Sequence, residues 1–214
     1  MAGVLILGAG GHGKVVADIL TLNGIAVAGF LDDDSSSWGC YRLGVPVLGP
    51  ISSYRDHNPD GLILGIGSNR VREHVVQSIG HWGANLWCNA IHPSAVIAAS
   101  VQLGRGIVAA AGAIVNPDSA IGNHVIVNTG ATIDHDCIIA DYAHVAPGSH
   151  VAGGVQIGSG TLLGIGSSVI PNRSIGAWAT IGAGAVVTSN VPAECTAVGV
   201  PARIVADEHD IAEL

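Results

Sequence analysis

The amino-acid sequence predicts a Rossmann-like βαβ domain of the α/β class, followed by an all-β parallel β-helix. The β-helix is predicted by a hexapeptide period that runs from Ile91 to about Pro192, a period that neither a helix nor a strand produces. The α/β domain is predicted by a strand, a glycine-rich loop and a helix in immediate succession near the N-terminus. We therefore divide the chain into residues 1–88, residues 89–192 and a C-terminal extension at residues 193–214.

The N-terminal domain has the alternating order of strands and helices that is typical of a parallel sheet. The predicted elements are strands at residues 4–7, 25–31, 61–67 and 85–91, and helices at residues 14–22 and 69–79. Ligands of such sheets bind beyond the carboxyl ends of the strands. We therefore expect a ligand site at the loops that follow the strands.

Gly8, Gly10 and Gly13 form the pattern GxGxxG between the first strand and the first helix. The N–H groups of such a loop bind phosphate, and acids about twenty residues later can bind a sugar hydroxyl. Asp32 and Asp33 lie at that spacing. Because residues 1–88 supply only one mononucleotide-binding half, the motif favours a nucleotide or nucleotide-sugar site over a dehydrogenase. A purely structural glycine turn is the alternative.

The repeat comprises seventeen consecutive hexads, each opening on a branched aliphatic residue except one that opens on alanine. The opening residues are Ile91, Ile97, Leu103, Ala109, Val115, Ile121, Val127, Ile133, Ile139, Val145, Val151, Ile157, Leu163, Val169, Ile175, Ile181 and Val187. Three hexads make one coil of eighteen residues, with the aliphatic residue inward and a small fifth residue at the turn. The result is a prism of roughly 5.7 coils and roughly 27 Å.

Composition excludes several classes of function. The net charge of −8 argues against nucleic acid, which requires a basic surface. Four cysteines without CxxC spacing fit a reduced, cytoplasmic compartment. Neither a signal peptide nor an apolar segment long enough to span a membrane is present in the sequence.

His135 is the candidate catalytic residue. It is the third residue of the hexad at residues 133–138, so it projects outward, between Asp134 and Asp136. A neutral imidazole is a suitable general base, and a neighbouring carboxylate can fix its tautomer. A solvated surface histidine is the alternative.

A zinc site of the γ-carbonic anhydrase type would require histidines stacked at multiples of eighteen residues. The histidines of the repeat after residue 120 are His124, His135, His144 and His150, and no two of them have that spacing. We therefore predict no metal cluster within one chain.

Five segments occur together: GAGGHGKVVADIL, FLDD, GIGSNRVR, HPSAVI and NTGATIDHDC. Their combination resembles the sialic-acid O-acetyltransferase/bacillosamine N-acetyltransferase family, with the related GDP-perosamine N-acetyltransferases, over essentially the whole chain. The resemblance implies that the β-helix is left-handed, against the usual right-handed crossover rule.

The resemblance also implies roles for particular residues. It implies that His135 is the general base and that Asp136 orients it, although some members carry Glu at that position. Implied contacts to the nucleotide sugar are Gly10, Gly11, His12, Asp32, Asp33, Gly67, Arg72 and Asn128. Implied contacts to acetyl-CoA are His144, Ile165, Ala183 and Arg203. No role is implied for Asp34.

The function implied is acetyl-CoA-dependent N-acetylation of the 4-amino group of a UDP-linked 4-amino-4,6-dideoxysugar, as in UDP-N-acetylbacillosamine synthesis. Sialic acid O-acetylation, GDP-perosamine N-acetylation and a non-catalytic sugar-nucleotide-binding protein are the alternatives. His135 and His144 lie in successive hexads and therefore, we expect, on adjacent faces of one prism. A cyclic homotrimer would bring His135 of one subunit to His144 of the next.

Overall fold

The computed structural model describes residues 3–205, apart from the side chain of Trp82. Elements are numbered in chain order. The N-terminal domain contains strands β1 (Val4–Leu7), β2 (Val27–Leu31), β3 (Tyr41–Arg42), β4 (Val45–Gly49) and β5 (Gly61–Leu64), helices α1 (Gly11–Leu22) and α2 (Asn69–Ile79), and 3₁₀ helices at Ser35–Ser37, Ile51–His57 and Gly80–Gly83. The strand order is β3-β4-β2-β1-β5, and only β3 is antiparallel to its neighbour.

Several predicted boundaries differ from the structure. Helix α1 begins at Gly11 rather than residue 14, because the second half of the glycine loop is already its first turn. The segment at residues 85–91 forms only the strand β6 (Ala90–Ile91), preceded by a single bridge between Leu62 and Trp87. The hairpin of β3 and β4 was not predicted, since these strands are short and turn through Leu43 and Gly44, both with positive φ.

Close packing in the domain depends on glycine. A Cβ at Gly13 would collide with the carbonyl oxygen of Gly8, and one at Gly65 would lie 2.7 Å from the Cα of Gly13. These glycines allow α1 to close against the ends of β1 and β5.

The second domain is a three-faced prism of parallel two-residue strands. Face 1 contains β6, β9 (Val108–Ala109), β12 (Ile126–Val127), β15 (His144–Val145), β18 (Leu162–Leu163), β21 (Thr180–Ile181), β23 (Thr196–Val198) and the antiparallel β24 (Arg203–Val205). Face 2 contains β7 (Val96–Ile97), β10 (Ile114–Val115), β13 (Thr132–Ile133), β16 (His150–Val151), β19 (Ser168–Val169) and β22 (Val186–Val187). Face 3 contains β8 (Gln102–Leu103), β11 (Ala120–Ile121), β14 (Ile138–Ile139), β17 (Gln156–Ile157) and β20 (Ser174–Ile175).

The hexad period explains this register. Strand partners on a face are eighteen residues apart, as in the pairs Thr132–His150 and Ile133–Val151. The opening residues of the hexads, with the small residues of the fifth position, form one continuous core inside the prism. The predicted parallel β-helix is therefore confirmed.

The two domains share a hydrophobic core. Val16 and Leu20 of α1 lie in the same buried cluster as Val108, Ala110 and Ile126 of face 1. Helix α1 is thus enclosed between its own sheet and the prism. This packing fixes the glycine loop above face 1.

Helix α2 docks on the corner between faces 3 and 1. The corner residues His124, Tyr142, Gly160 and Trp178 follow one another at intervals of eighteen and all have positive φ. Asn69 donates from Nδ2 to the carbonyl of Gly160 (2.9 Å), and the Arg70 guanidinium lies 4.5 Å from the ring centroid of Trp178. The first turn of α2 therefore runs along successive coils.

Arg72 also holds α2 against the prism. It is 1% exposed, and its guanidinium donates to the carbonyls of Gly67 (2.8 Å), Tyr142 (2.6 Å) and His124 (3.2 Å). It also donates to Ile66 and Ala143. These backbone acceptors belong to both domains, so one buried cation joins the turn after β5 to two coils of the prism.

The chain closes the prism with β23, which pairs with β21, and β24, which returns along β23. The acidic tail at residues 207–213 lies outside the described residues. Among the described residues, no helix combines the length and the apolar character that crossing a membrane requires.

Candidate active site

His135 lies at the corner between faces 2 and 3, just after β13. Its Nδ1 is 2.7 Å from Oδ2 of Asp136, and the two side chains are 61% and 65% exposed. The hydrogen bond to Asp136, followed by the charge of Asp134, raises the pKa of His135 above its ordinary value. Asp136 has a φ of 58°. That left-handed turn brings its short side chain back to the imidazole that precedes it.

Asp134 supports the same corner from the other side. Its Oδ1 accepts the backbone N–H of His135 and the side-chain Nδ2 of Asn116, each at 2.9 Å. These bonds lower the pKa of Asp134. Sequence reasoning missed Asn116; the signal was present, because Asn116 precedes Asp134 by one coil of eighteen residues.

His144 lies on face 1, beneath the turn at Gly67. Asn128 donates from Nδ2 to Nε2 of His144 at 3.0 Å, and Oδ1 of Asn128 accepts the N–H of Thr129 at 2.8 Å, which fixes the amide. Burial, then Arg72 and His12, lower the pKa of His144 to about 4, against a hydrogen bond with the backbone of Gly67. His144 is therefore a neutral imidazole at neutral pH, with Nδ1 as its donor.

His12, which belongs to the glycine loop, lies close to His144. Its ring centroid is 6.5 Å from that of His144, with an angle of 41° between the rings. Its Nε2 is buried and has no hydrogen-bond partner. Burial, and then Arg72, lower the pKa of His12 to about 4. A buried polar atom without a partner indicates a position that a ligand can satisfy.

The three glycines expected to contact the nucleotide sugar have more space around them than Gly13. Unlike the packed Gly13, the residues Gly10, Gly11 and Gly67 leave open space where a Cβ would stand. Packing therefore does not explain glycine at these three positions. Bare backbone facing open space at the start of α1 suits the close approach of a ligand.

The aspartates after β2 have separate partners. Asp32 accepts the N–H of Ala9 at 2.7 Å and therefore ties the end of β2 to the glycine loop. Asp33 accepts the N–H of Ile51 at 2.9 Å and lines a neighbouring cavity on the same domain. Asp34, which had no role assigned from the sequence, accepts from the N–H and hydroxyl of Ser36 and caps a 3₁₀ helix.

A groove of about 610 Å³ runs along face 1 beside His144. Its lining residues are Gly67, Ser68, Asn69, Arg70, His144, Ala146, Pro147, Gly160, Leu162, Gly164, Ile165, Trp178, Thr180 and Ala183. Three of the four residues expected to contact acetyl-CoA, His144, Ile165 and Ala183, share this groove. Arg203 does not line it and belongs to a separate cavity with Thr188 and Ile204.

Two expectations need correction. Arg72 was expected to contact the nucleotide sugar, but it is buried and its guanidinium is occupied by backbone carbonyls, so it holds the turn at Gly67 instead. His135 and His144 were expected on adjacent faces. The corner of faces 2 and 3, where His135 lies, is the corner opposite face 1, where His144 lies. The prism core separates the two histidines within one chain.

Among the described residues, no group of three His, Cys, Asp or Glu side chains could hold a metal ion. The candidate site residues are an oriented imidazole on one side of the prism and, on the other side, a groove along face 1 and a glycine loop that contains His12. A β-helix of hexapeptide repeats with these features defines a hexapeptide-repeat acyltransferase that carries an N-terminal α/β domain.

Comparisons with known proteins agree with this class. Residues 3–79 match the PglD N-terminal domain, and residues 154–189 match the bacterial transferase hexapeptide (six repeats). A structure of a perosamine N-acetyltransferase variant from Caulobacter crescentus, in complex with CoA and GDP-perosamine, is 41% identical with a TM-score of 0.88, over 97% of this chain and 98% of that one. The chain belongs to the family of hexapeptide-repeat sugar N-acetyltransferases with a PglD-type N-terminal domain, whose β-helix is left-handed.

Two further relatives carry different names. The acetyltransferase domain of PglB from Neisseria gonorrhoeae, in complex with acetyl coenzyme A, is 33% identical with a TM-score of 0.84, over 94% of this chain and 98% of that one. The UDP-N-acetylbacillosamine N-acetyltransferase of Bacillus subtilis is 38% identical over 113 residues, 50% of this chain and 51% of that protein. The chain spans about half or less of the curated relatives that it matches.

Proposed function

We propose that this protein transfers the acetyl group of acetyl-CoA to the 4-amino group of a nucleotide-linked 4-amino-4,6-dideoxysugar. The observation that carries the proposal is that the ring centroids of His12 and His144 lie 6.5 Å apart. His12 belongs to the loop suited to a nucleotide sugar, and His144 belongs to the groove suited to the pantetheine arm. The two ligands would therefore meet at the same point.

His135 is the proposed general base. Because the carboxylate of Asp136 can only accept, Nδ1 of His135 is the donor, and Nε2 of the neutral ring is free to accept a proton. His135 takes a proton either from the sugar ammonium before the attack or from the amine nitrogen during the attack. The amine nitrogen then forms the amide bond to the acetyl carbon and the thioester C–S bond breaks. The departing thiolate takes up the proton that the attacking nitrogen loses, so CoA leaves as a thiol.

The nucleotide of the acceptor is the finer part of the proposal. The expectation from sequence was a UDP-linked sugar, and the name of the Bacillus protein, a UDP-N-acetylbacillosamine N-acetyltransferase, supports that choice. GDP-perosamine is favoured by the higher identity, 41% over 97% of the chain, to a protein in complex with that ligand. We therefore place GDP-perosamine first and the UDP-linked amino sugar second. Neither of the named sugar N-acetyltransferases supports O-acetylation of sialic acid.

The active form is a homotrimer in this proposal, with sites between subunits. Its support is that His135 and His144 lie on opposite sides of one prism. A cyclic trimer of prisms brings the corner of one subunit to a face of the next. We also propose a cytoplasmic location, supported by four cysteines that are all free thiols.

The test is incubation with acetyl-CoA and matched GDP-, UDP- and CMP-linked sugars, each with its product read by mass spectrometry. We expect gain of one acetyl group on a 4-amino sugar and release of free CoA thiol, fastest with GDP-perosamine. Preference for the UDP-linked sugar would reverse the order of the two acceptors. Binding of a sugar nucleotide without acetyl transfer to any acceptor would favour the non-catalytic alternative.

A further inference from the structure

Gly153 lies against the imidazole of His135, one coil further along the prism. A Cβ built on Gly153 would stand 2.6 Å from Cε1 and 2.7 Å from Nε2 of His135. Carbon atoms do not approach a ring so closely without displacing it. The imidazole therefore occupies the space that any other residue at position 153 would fill.

The backbone does not require glycine at this position. Gly153 does not have a positive φ, whereas its neighbour Gly154 has a φ of 70°. Eighteen residues before His135 and eighteen after Gly153, the same corner position holds Pro117 and Pro171. The corner thus accepts a side chain in the adjacent coils, and the ring of His135 is the feature that distinguishes the coil of Gly153.

The backbone of His135 is fixed on both sides, so a collision would move its side chain. The carbonyl of His135 accepts the N–H of Gly154 at 2.9 Å, and the N–H of Asp136 donates to the carbonyl of Pro117 at 3.1 Å. The exposed imidazole, by contrast, can rotate about its side-chain torsions at low cost. Rotation away from position 153 would break the 2.7 Å contact between His135 and Asp136.

We propose that Gly153 is a positioning residue for the general base: by lacking a Cβ, it gives the His135 imidazole the one orientation in which Asp136 accepts from Nδ1 and Nε2 faces the acceptor. This inference rests on the proposed function in assigning His135 as base. The positioning itself is a statement about the ring, and it can be measured without any turnover.

The first experiment follows the ring in Gly153→Ala by NMR titration of ¹³C- and ¹⁵N-labelled histidine. The charged groups that act on His135 are Asp134 and Asp136. With the Asp136 bond lost, the His135 resonance should titrate at lower pH than in the wild type. Ala99→Ser is the matched control, because residue 99 holds the same corner position two coils before His135, and it should leave the titration unchanged.

The second experiment is kinetic. Gly153→Ala should lower kcat at least about tenfold, leave KM for the nucleotide sugar within about twofold, and shift the acid limb of the pH profile downward. In a His135→Ala background the same substitution should have no further effect on the residual rate. A further tenfold loss in that background would show that residue 153 acts elsewhere and would overturn the proposal.

The two experiments separate this inference from the proposed function. If Gly153→Ala keeps the wild-type titration curve of His135 and the wild-type kcat, the positioning role of Gly153 is contradicted. A shifted titration in a protein that acetylates no acceptor would support the positioning role and reject the proposed function. Unfolding midpoints of the single and double variants check that each protein is folded.

Discussion

The carboxylate of Asp136 lies 2.7 Å from Nδ1 of the residue that precedes it, His135. Adjacent residues rarely face each other in a strand, where successive side chains point to opposite sides. They do so here because Asp136 adopts a φ of 58° at the prism corner. The pair is therefore a product of the turn, and it assigns the proton of the neutral ring to Nδ1.

Asp136→Asn should shift the pH profile of the reaction in a defined direction. The bond to Asp136 is the largest cause that raises the pKa of His135, so its removal lowers that pKa. Because the neutral base exists above the pKa, the acid limb of kcat/KM should move to lower pH. The plateau should fall at least about tenfold, since Asn no longer enforces one tautomer.

Asp118→Asn provides the control for this measurement, because Asp118 holds the position of Asp136 one coil earlier, also with positive φ. It should retain the wild-type profile. An acid limb that moves to higher pH in Asp136→Asn would contradict the orientation described.

Replacing Asp32 and Asp33 together by Ala should raise KM for the nucleotide sugar about tenfold or more and leave KM for acetyl-CoA nearly unchanged. The reason is that Asp32 holds the glycine loop through Ala9, while the groove proposed for acetyl-CoA is lined by neither aspartate. Steady-state kinetics with each substrate varied in turn measure both constants. Asp18→Ala, on the exposed side of α1, should change neither. Equal losses for both substrates in a folded variant would refute the division of ligands between domains.

Arg72→Met should lower the free energy of unfolding by at least about 3 kcal/mol, because it leaves backbone carbonyls of both domains without a donor in a buried site. The free energy of unfolding of Arg72→Lys should lie between those of the wild type and Arg72→Met, since one ammonium cannot reach all of these carbonyls. Urea unfolding measures the change. Arg70→Met, which removes an exposed cation from the face of Trp178, should cost only about 1 kcal/mol or less. A loss for Arg72→Met no larger than this would contradict the role of Arg72 in joining the two domains.

His124→Phe should reduce the sensitivity of the fold to acid. Burial, as the largest cause, lowers the pKa of His124 to about 4, with Asp141 raising it and Arg72 lowering it further. Between about pH 6.5 and 4 the unfolded chain binds a proton that the native state does not, so stability falls as the pH falls. Removing this group should reduce the stability lost between pH 7 and 5 by about 2 kcal/mol.

Phe is tolerable at position 124 because Tyr142 and Trp178 hold the same corner position with similar φ. Denaturant titrations at a series of pH values provide the measurement. Tyr142→Phe, which keeps the ring that stacks on His124, should preserve the wild-type dependence. An unchanged pH slope in His124→Phe would rule out the depressed pKa.

Mixing His135→Ala with His144→Ala after reversible dissociation should restore activity if both residues are needed and sites lie between subunits. In a random equimolar mixture, about one interface in four pairs an intact His135 with an intact His144, so about a quarter of the wild-type rate is expected. Each variant dissociated and reassembled alone should stay inactive. No recovery despite verified subunit exchange, or a fully active monomer, would argue against shared sites.

The sequence by itself determined the prism and its contents. A period of six with an aliphatic first residue is satisfied by a three-faced coil, in which the aliphatic residues stack at intervals of eighteen. The inward and outward positions of the prism therefore follow from residue number alone. His135 could be identified as outward, and Val115 or Ile133 as buried, before any coordinates. The loop of GxGxxG could likewise be assigned to a strand–helix junction, since local spacing specifies it.

Only the tertiary structure decided how the two domains meet. Arg72 was expected to contact the ligand from the family resemblance alone, and it is buried because α2 docks on carbonyls at a corner that no local pattern identifies. The contact of His12 with His144 and the space that Gly153 leaves for His135 are of the same kind. They depend on where two separately determined elements come to rest against each other, and the energy that fixes this placement comes from a shared core and buried donors rather than from sequence period.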